Sequence, residues 1–172
     1  MQDKFQQFYN SVIGKFVEAE DPTNQNQCMD LAFKWCDTLG IPRETIRHLY
    51  AYEVFTKPTD TTKKYFDLIP NGPTNKPNVG DLVVFGTKVG IAGHISIETG
   101  KSNAQNLQTL DQNWGTPKSV REVLHTNYNG CLGWLHPKTQ FSPDTIFVQK
   151  AKEILNSNTT DIDKRAQIKQ IV

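Results

Sequence analysis

Cys28 stands in the segment NQCMDL (26–31), between a polar stretch and the first apolar turn of a predicted helix. A thiol in the first turn of a helix meets unpaired backbone N–H groups and the positive end of the macrodipole, which favours the thiolate. A thiolate nucleophile needs a partner base. His94, in GHISIETG (93–100), is the candidate. In a strand, Ile95 and Ile97 face one side and His94, Ser96 and Glu98 the other, and the isoleucines need the core. Gly93 before the histidine permits close backbone approach. A third group must hold the imidazole in the right tautomer. TLDQNWG (109–115) offers Asp111 and Asn113, two residues apart and so on one strand face with Leu107 and Thr109. Each residue has an ordinary explanation by itself: a core thiol, a structural histidine, a pair of residues opening a turn before Gly115.

These residues have to be carried by particular elements. Phe5, Phe8, Tyr9, Val12, Ile13, Phe16 and Val17 recur at helical spacing, so residues 3–17 predict an amphipathic helix. EAEDPTNQNQ (18–27) breaks it. Ala32, Trp35, Cys36 and Leu39 continue an inward stripe from Cys28, and Gly40 with Pro42 supply a stop. IPRETIRHLYAYEVF (41–55) is expected to continue as further helix. After the Pro-, Asn- and Gly-rich PNGPTNKPNVGD (70–81) the character turns to strands: LVVF, GHISIETG, NLQTLDQNW and CLGWLHP. Helices first and strands later predict an α+β fold with N-terminal helices packed on a mainly antiparallel sheet. Residues 143–172 turn helical again, with Ile146, Phe147, Ala151, Ile154 and Leu155 forming one stripe. The expected division is a catalytic domain over 1–140 and a helical extension or connector over 141–172. An exposed apolar stripe there would dock on the domain or on a second copy, so self-association through this helix is an expectation.

Composition narrows the class. With 37% hydrophobic and 22% charged residues over 172 positions, the chain reads as globular. A net charge of +1 supplies no general attraction to nucleic acid or to a membrane surface. No apolar run is long enough for membrane insertion, and no basic cluster leads into an apolar stretch at the N-terminus, so no secretory signal is expected. Three cysteines do not make a disulfide framework, and Cys36 and Cys131 read as buried fillers. His48, His94, His125 and His136 show no ligand spacing, which argues against a structural zinc site.

The order thiol at a helix start, histidine on a following strand, acid or amide on the next is that of papain-like amidases and peptidases. NQCMDLAFKWCDTLG, PNVGDLVVFG, GHISIETG and TLDQNWG together resemble the CHAP domain of the NlpC/P60 superfamily, above all the CHAP domains of bacteriophage endolysins. The resemblance covers about residues 5–138. It implies a papain-like NlpC/P60 fold and a peptidoglycan hydrolase that cuts an amide bond of the bacterial cell wall. Either an N-acetylmuramoyl-L-alanine amidase or a stem-peptide or cross-bridge endopeptidase fits. It implies Cys28 as nucleophile, His94 as base, and Asp111 or Asn113 as orienting group. The family usually has glutamate where this chain has Asp111. The backbone N–H of Cys28 and the Gln27 side chain are the oxyanion candidates. Trp114 and Trp134 either wall the cleft or fill the core. No cofactor is expected. Some phage members carry calcium before the cysteine, and Glu20, Asp21 and Asp30 are the carboxylates near the corresponding places. Calcium prefers six to eight oxygens, more than these three supply. A phage-encoded chain would wait in the host cytoplasm, or in the virion, until released to the wall. An antibacterial effector amidase and a catalytically silent wall-binding module are the alternatives, and the cysteine, histidine and acid in order count against the second.

Overall fold

Trp35 is the hub on which the predicted N-terminal helices meet. The structure, a computed structural model, describes residues 1–19, 26–138 and 154–155. Helix α1 (Gln2–Val12) buries Phe5, Phe8 and Val12. The Phe5 and Phe8 rings lie 6.0 and 5.0 Å from that of Trp35. Trp35 belongs to helix α2 (Cys28–Leu39), where the inward stripe Leu31, Ala32, Trp35, Cys36 and Leu39 is buried as its spacing requires. Its indole N–H donates to the Gly80 carbonyl at 2.8 Å. Helix α2 stops at Gly40, in the left-handed conformation at φ 71°, a backbone that glycine adopts without a Cβ penalty.

Two expectations about helices need correction. The first helix ends at Val12 and not at Val17. Ile13 is extended, and Gly14 (φ 75°) donates to Val120 O while Lys15 O accepts from Val120 N. The chain therefore turns at residues 13–15, meets residue 120 there, and continues without helix through 17, with Phe16 exposed and Val17 buried. The stretch 41–55 is not a continuous helix either. It holds a 3-10 turn at Arg43–Thr45, bends through residues 46–52, and becomes helix α3 only at Glu53–Thr56. The buried residues Ile41, Ile46, Ala51 and Val54 explain this, since their spacing fits no single helix face. A short helix α4 (Asp60–Tyr65), capped by Thr59, leads into the sheet.

Among the described residues the sheet has six strands, all antiparallel: β1 (Phe66–Pro70), β2 (Leu82–Phe85), β3 (His94–Glu98), β4 (Asn106–Asp111), β5 (Arg121–Thr126) and β6 (Cys131–Pro137). Their order is β1-β6-β2-β3-β4-β5. The observed architecture is thus α+β with helices on an antiparallel sheet. Strands β1 and β5, the two edges, carry no clear apolar alternation in sequence. One sheet face, with Leu82, Val84, Ile95, Ile97, Leu110 and Leu135, packs on the helices. The opposite face buries a smaller cluster of Val83, Phe85, Leu107, Cys131 and Trp134. Cys36 and Cys131 are both buried. No described helix is long and apolar enough to cross a membrane. The extension over 141–172 lies outside the described residues except for 154–155, which are helical.

Candidate active site

Three element boundaries meet where chemistry was expected. Cys28 is the first residue of α2, His94 the first of β3, and Asp111 the last of β4. Gln27 caps α2, and its backbone N–H donates to the Asp30 carboxylate at 2.7 Å. Asp30 thereby serves the helix start, the place where an acidic side chain complements the dipole. Gly93 (φ 65°) lets β3 begin this close to its neighbours, because a Cβ there would lie 2.4 Å from the Phe85 carbonyl oxygen and 2.8 Å from Tyr52 Cβ. His94 is buried on the sheet face opposite Ile95 and Ile97.

The His94 ring stands between Asp111 and Cys28. Its Nε2 lies 2.7 Å from Asp111 Oδ1, and the Cys28 thiol is near enough for ring and thiol to shift each other's titration. With Nε2 engaged by the carboxylate, Nδ1 is the ring nitrogen left to serve the thiol. Burial works against every charge here, and the partners overcome it. For Asp111, burial pushes the carboxyl up, but bonds from His125 and His94 hold it down at about 2. For His94, burial favours the neutral ring, but the bond to Asp111 and the neighbouring Cys28 thiol raise it to about 10. For Cys28, burial opposes ionisation, but His94 and the backbone N–H groups of Ile95 and Met29 bring the thiol below its ordinary value. The arrangement favours a thiolate–imidazolium pair oriented by an ionised carboxylate. The other thiols differ. Burial drives Cys36 above the ordinary thiol range and lifts Cys131 to about 12.

Asn113 does not share a strand face with Asp111. Strand β4 ends at Asp111, and Asn113 sits in the left-handed conformation (φ 62°) with its N–H donating to Lys118 O. Asparagine tolerates that backbone better than most residues. Its side-chain amide donates to Gln27 Oε1 at 3.0 Å. An amide whose oxygen is engaged presents its Nε2 as the donor end, so Asn113 sets which way Gln27 points. Trp114 is half-buried and edge-on to His94, ring centres 4.8 Å apart. Trp134 is fully buried in the core of the far face and walls no cleft. A cleft of about 400 Å³ opens beside the thiol, lined by Gln27, Cys28, Arg47, His48, Tyr50 and Ala92 among others. The Arg47 guanidinium lies over the Phe33 ring at its edge. Among the described residues, no group of three or more His, Cys, Asp or Glu side chains is arranged to hold a metal ion. Glu20 and Asp21 lie outside the described residues.

Sequence reasoning missed Gln112, which is fully buried. Its Nε2 donates to both Val17 O and Gln27 O at 2.8 Å, and its Oε1 accepts from Val17 N at 2.6 Å. This side chain ties the end of β4 to the N-cap of the cysteine helix. Strand alternation was the available signal, since it turns Gln112 away from Asp111 and toward the helices.

No protein-family profile matches the sequence, and no curated protein matches it. Solved structures do share the fold. A wild-type endolysin, LysIME-EF1, superposes with a TM-score of 0.55 at 22% identity, covering 78% of this chain and 62% of its own. Ly7917 superposes with a TM-score of 0.56 at 15% identity, covering 80% of this chain and 62% of its own. The matched region therefore spans less than two thirds of either protein.

Proposed function

We propose that the chain is a CHAP-type catalytic domain of the NlpC/P60 kind, a thiol hydrolase that cuts an amide bond of bacterial peptidoglycan. The observation that carries this reading is the Cys28 thiol coupled to His94, whose ring is hydrogen-bonded to Asp111, beside an open cleft. The fold shared with an endolysin supports the choice of substrate.

In the first half of the reaction the Cys28 thiolate attacks the scissile carbonyl carbon. The developing oxyanion is met by the Cys28 backbone N–H and by Gln27 Nε2, which Asn113 directs by engaging Oε1. His94 then gives its Nδ1 proton to the departing amine, and an acyl-thioester remains on sulfur. In the second half, water loses a proton to His94 as it attacks the thioester, and the thiolate leaves to pair again with the imidazolium. Asp111 exchanges no proton. It holds Nε2–H, so that Nδ1 faces sulfur, and it stabilises the charged ring.

The test is digestion of purified peptidoglycan of defined chemotype with mass analysis of the fragments. Wild type releases new amine and carboxylate ends, and the fragment masses separate cleavage at muramoyl-L-alanine from cleavage in the stem or cross-bridge. Cys28→Ala and His94→Ala, folded by circular dichroism, release none. Normal hydrolysis by a folded Cys28→Ala protein refutes the thiol mechanism.

A further inference from the structure

One buried titratable group beside the site has no part in these steps. His125 lies on edge strand β5, in register with Leu107 of β4, and its side chain is only 5% exposed. Its ring packs against Phe85 and Trp114, each with ring centres 4.6 Å away. Its Nε2 lies 2.9 Å from Thr109 Oγ1 and 3.4 Å from Asp111 Oδ2. The single Thr109 hydroxyl proton goes to Asp111 Oδ2. Thr109 Oγ1 must then accept from His125, so His125 Nε2 carries a hydrogen. Asp111 is consequently gripped on both oxygens, by His94 on Oδ1 and by Thr109 and His125 on Oδ2.

We propose that His125, bridged by Thr109, is a positioning residue that locks the buried Asp111 carboxylate in the orientation aimed at His94. A carboxylate held on one oxygen alone could turn about its Cβ–Cγ bond and release the imidazole. Held on both, it is fixed, and its ionised form keeps hydrogen-bond donors where water is excluded. The described groups facing this corner are few. Strand β3 contributes His94, β4 contributes Asp111 and Thr109, and β2 and the turn after β4 contribute the Phe85 and Trp114 rings. Arg121, opposite Asp111 in register, directs its guanidinium to the Pro117 and Trp114 carbonyls. The His125 bond also leads the contributions that keep Asp111 ionised against burial.

The inference rests on the thiol-hydrolase reading for its kinetic consequence, so the test has an arm that needs no substrate. His125→Phe keeps a ring between Phe85 and Trp114 and removes the Nε2–H donor. His125→Gln returns an N–H at similar reach. On peptidoglycan, His125→Phe is expected to lower kcat about ten- to a hundredfold, the loss of one charge-assisted bond, with KM within about twofold of wild type. The Gln variant recovers most of it. In the second arm, the rate of Cys28 alkylation by iodoacetamide is followed against pH. Its acidic limb moves to higher pH in His125→Phe, because Asp111 then protonates more readily, and returns in His125→Gln. Thr109→Val, which removes the bridge, shows the same two changes and serves if the Phe variant does not fold. A folded His125→Phe or Thr109→Val protein with wild-type kcat and an unmoved alkylation limb overturns the proposal. Absence of wall hydrolysis in wild type overturns only the substrate reading, and the alkylation comparison still decides the role of His125.

Discussion

Replacing Gln112 by methionine keeps the length and volume of the side chain and deletes its three hydrogen bonds, to Val17 N, Val17 O and Gln27 O. All three are backbone groups that Gln112 satisfies where water has little access, and Gln112 itself is fully buried. A buried polar group stripped of its partner costs about 1–3 kcal/mol. Gln27 borders the cleft, where water can replace part of the loss, so the low end of the range applies and the sum is about 3 kcal/mol. For a chain of this size, each kcal/mol lowers Tm by about 2–4 °C, so a fall of about 6–12 °C is expected. A second effect should accompany it. Gln112 anchors the carbonyl of the N-cap residue immediately before Cys28, so its loss lets the thiol wander from His94, and Cys28 alkylation near neutral pH slows. Scanning calorimetry and timed alkylation with peptide mapping measure the two. A Gln112→Met protein within about 2 °C of wild type and with unchanged Cys28 reactivity would show that the tie between β4 and the cysteine helix carries no strain-bearing role.

Other consequences follow from the same geometry. Asp111→Asn should lower kcat by roughly a thousandfold or more through the wrong tautomer of His94, whereas Asn113→Ala, which only releases Gln27, should cost far less and leave the His94 titration in place. The reverse ranking would assign the imidazole to Asn113. One equivalent of iodoacetamide at mildly acidic pH should label Cys28 and spare Cys36 and Cys131, whose thiols burial holds protonated; mass mapping reads the result, and labelling spread over all three would contradict it. The pair also sets a pH window for stability. His94 rises from 6.5 to about 10, so its contribution is full below pH 6.5 and is lost as pH climbs toward 10. Asp111 falls from 3.8 to about 2, so its contribution is full above pH 3.8 and is lost as pH drops toward 2. Subtracting the Tm–pH curve of His94→Gln from that of wild type should expose this window, and superimposable curves would deny it. Finally, EDTA should leave hydrolysis unchanged, since Asp30 already serves the α2 N-cap; restoration of a lost activity by calcium alone would reverse this.

The legible parts of this protein are those that the chain punctuates. Cys28 follows a polar break, His94 follows Gly93, and Asp111 precedes a turn marked by Asn113 and Gly115. Each sits at the end of an element, where residue types change abruptly, so each could be picked out before any three-dimensional information. Strands β2, β3, β4 and β6 could be found for a related reason, since their apolar runs have no helical period. What stayed hidden depends on register. Strand β5 reads Arg-Glu-Val-Leu-His-Thr, and its burial defeats the usual pattern: Leu124 is 57% exposed while His125 is buried. The two meanings are exchanged because the inward face of this edge strand brings His125 to a corner where Thr109 and Asp111 supply polar partners and the Phe85 and Trp114 rings cover it. Asn113 was misplaced for a similar reason. Counting by twos keeps it with Asp111 only if the strand continues, and the left-handed backbone at Asn113 ends that count.

The same distinction divides the site into two kinds of residue. Those proposed to touch substrate, Gln27, Cys28 and His94, come from the starts of α2 and β3, and hydrogen bonds that cross between elements hold them in relation. Gln112 joins β4 to the α2 N-cap, Asn113 joins the turn after β4 to Gln27, and Thr109 with His125 joins β5 to Asp111. All three connections converge on residues 109–113, so this five-residue stretch fixes the geometry of thiol, imidazole and oxyanion donor together. Sequence position marks the reacting groups, but only the register of β4 against β5 and the exit of the chain from β4 determine what holds them. Substitutions in residues 109–113 should therefore show coupled effects in double-mutant cycles with Gln27 and His125, where residues acting through separate contacts would add.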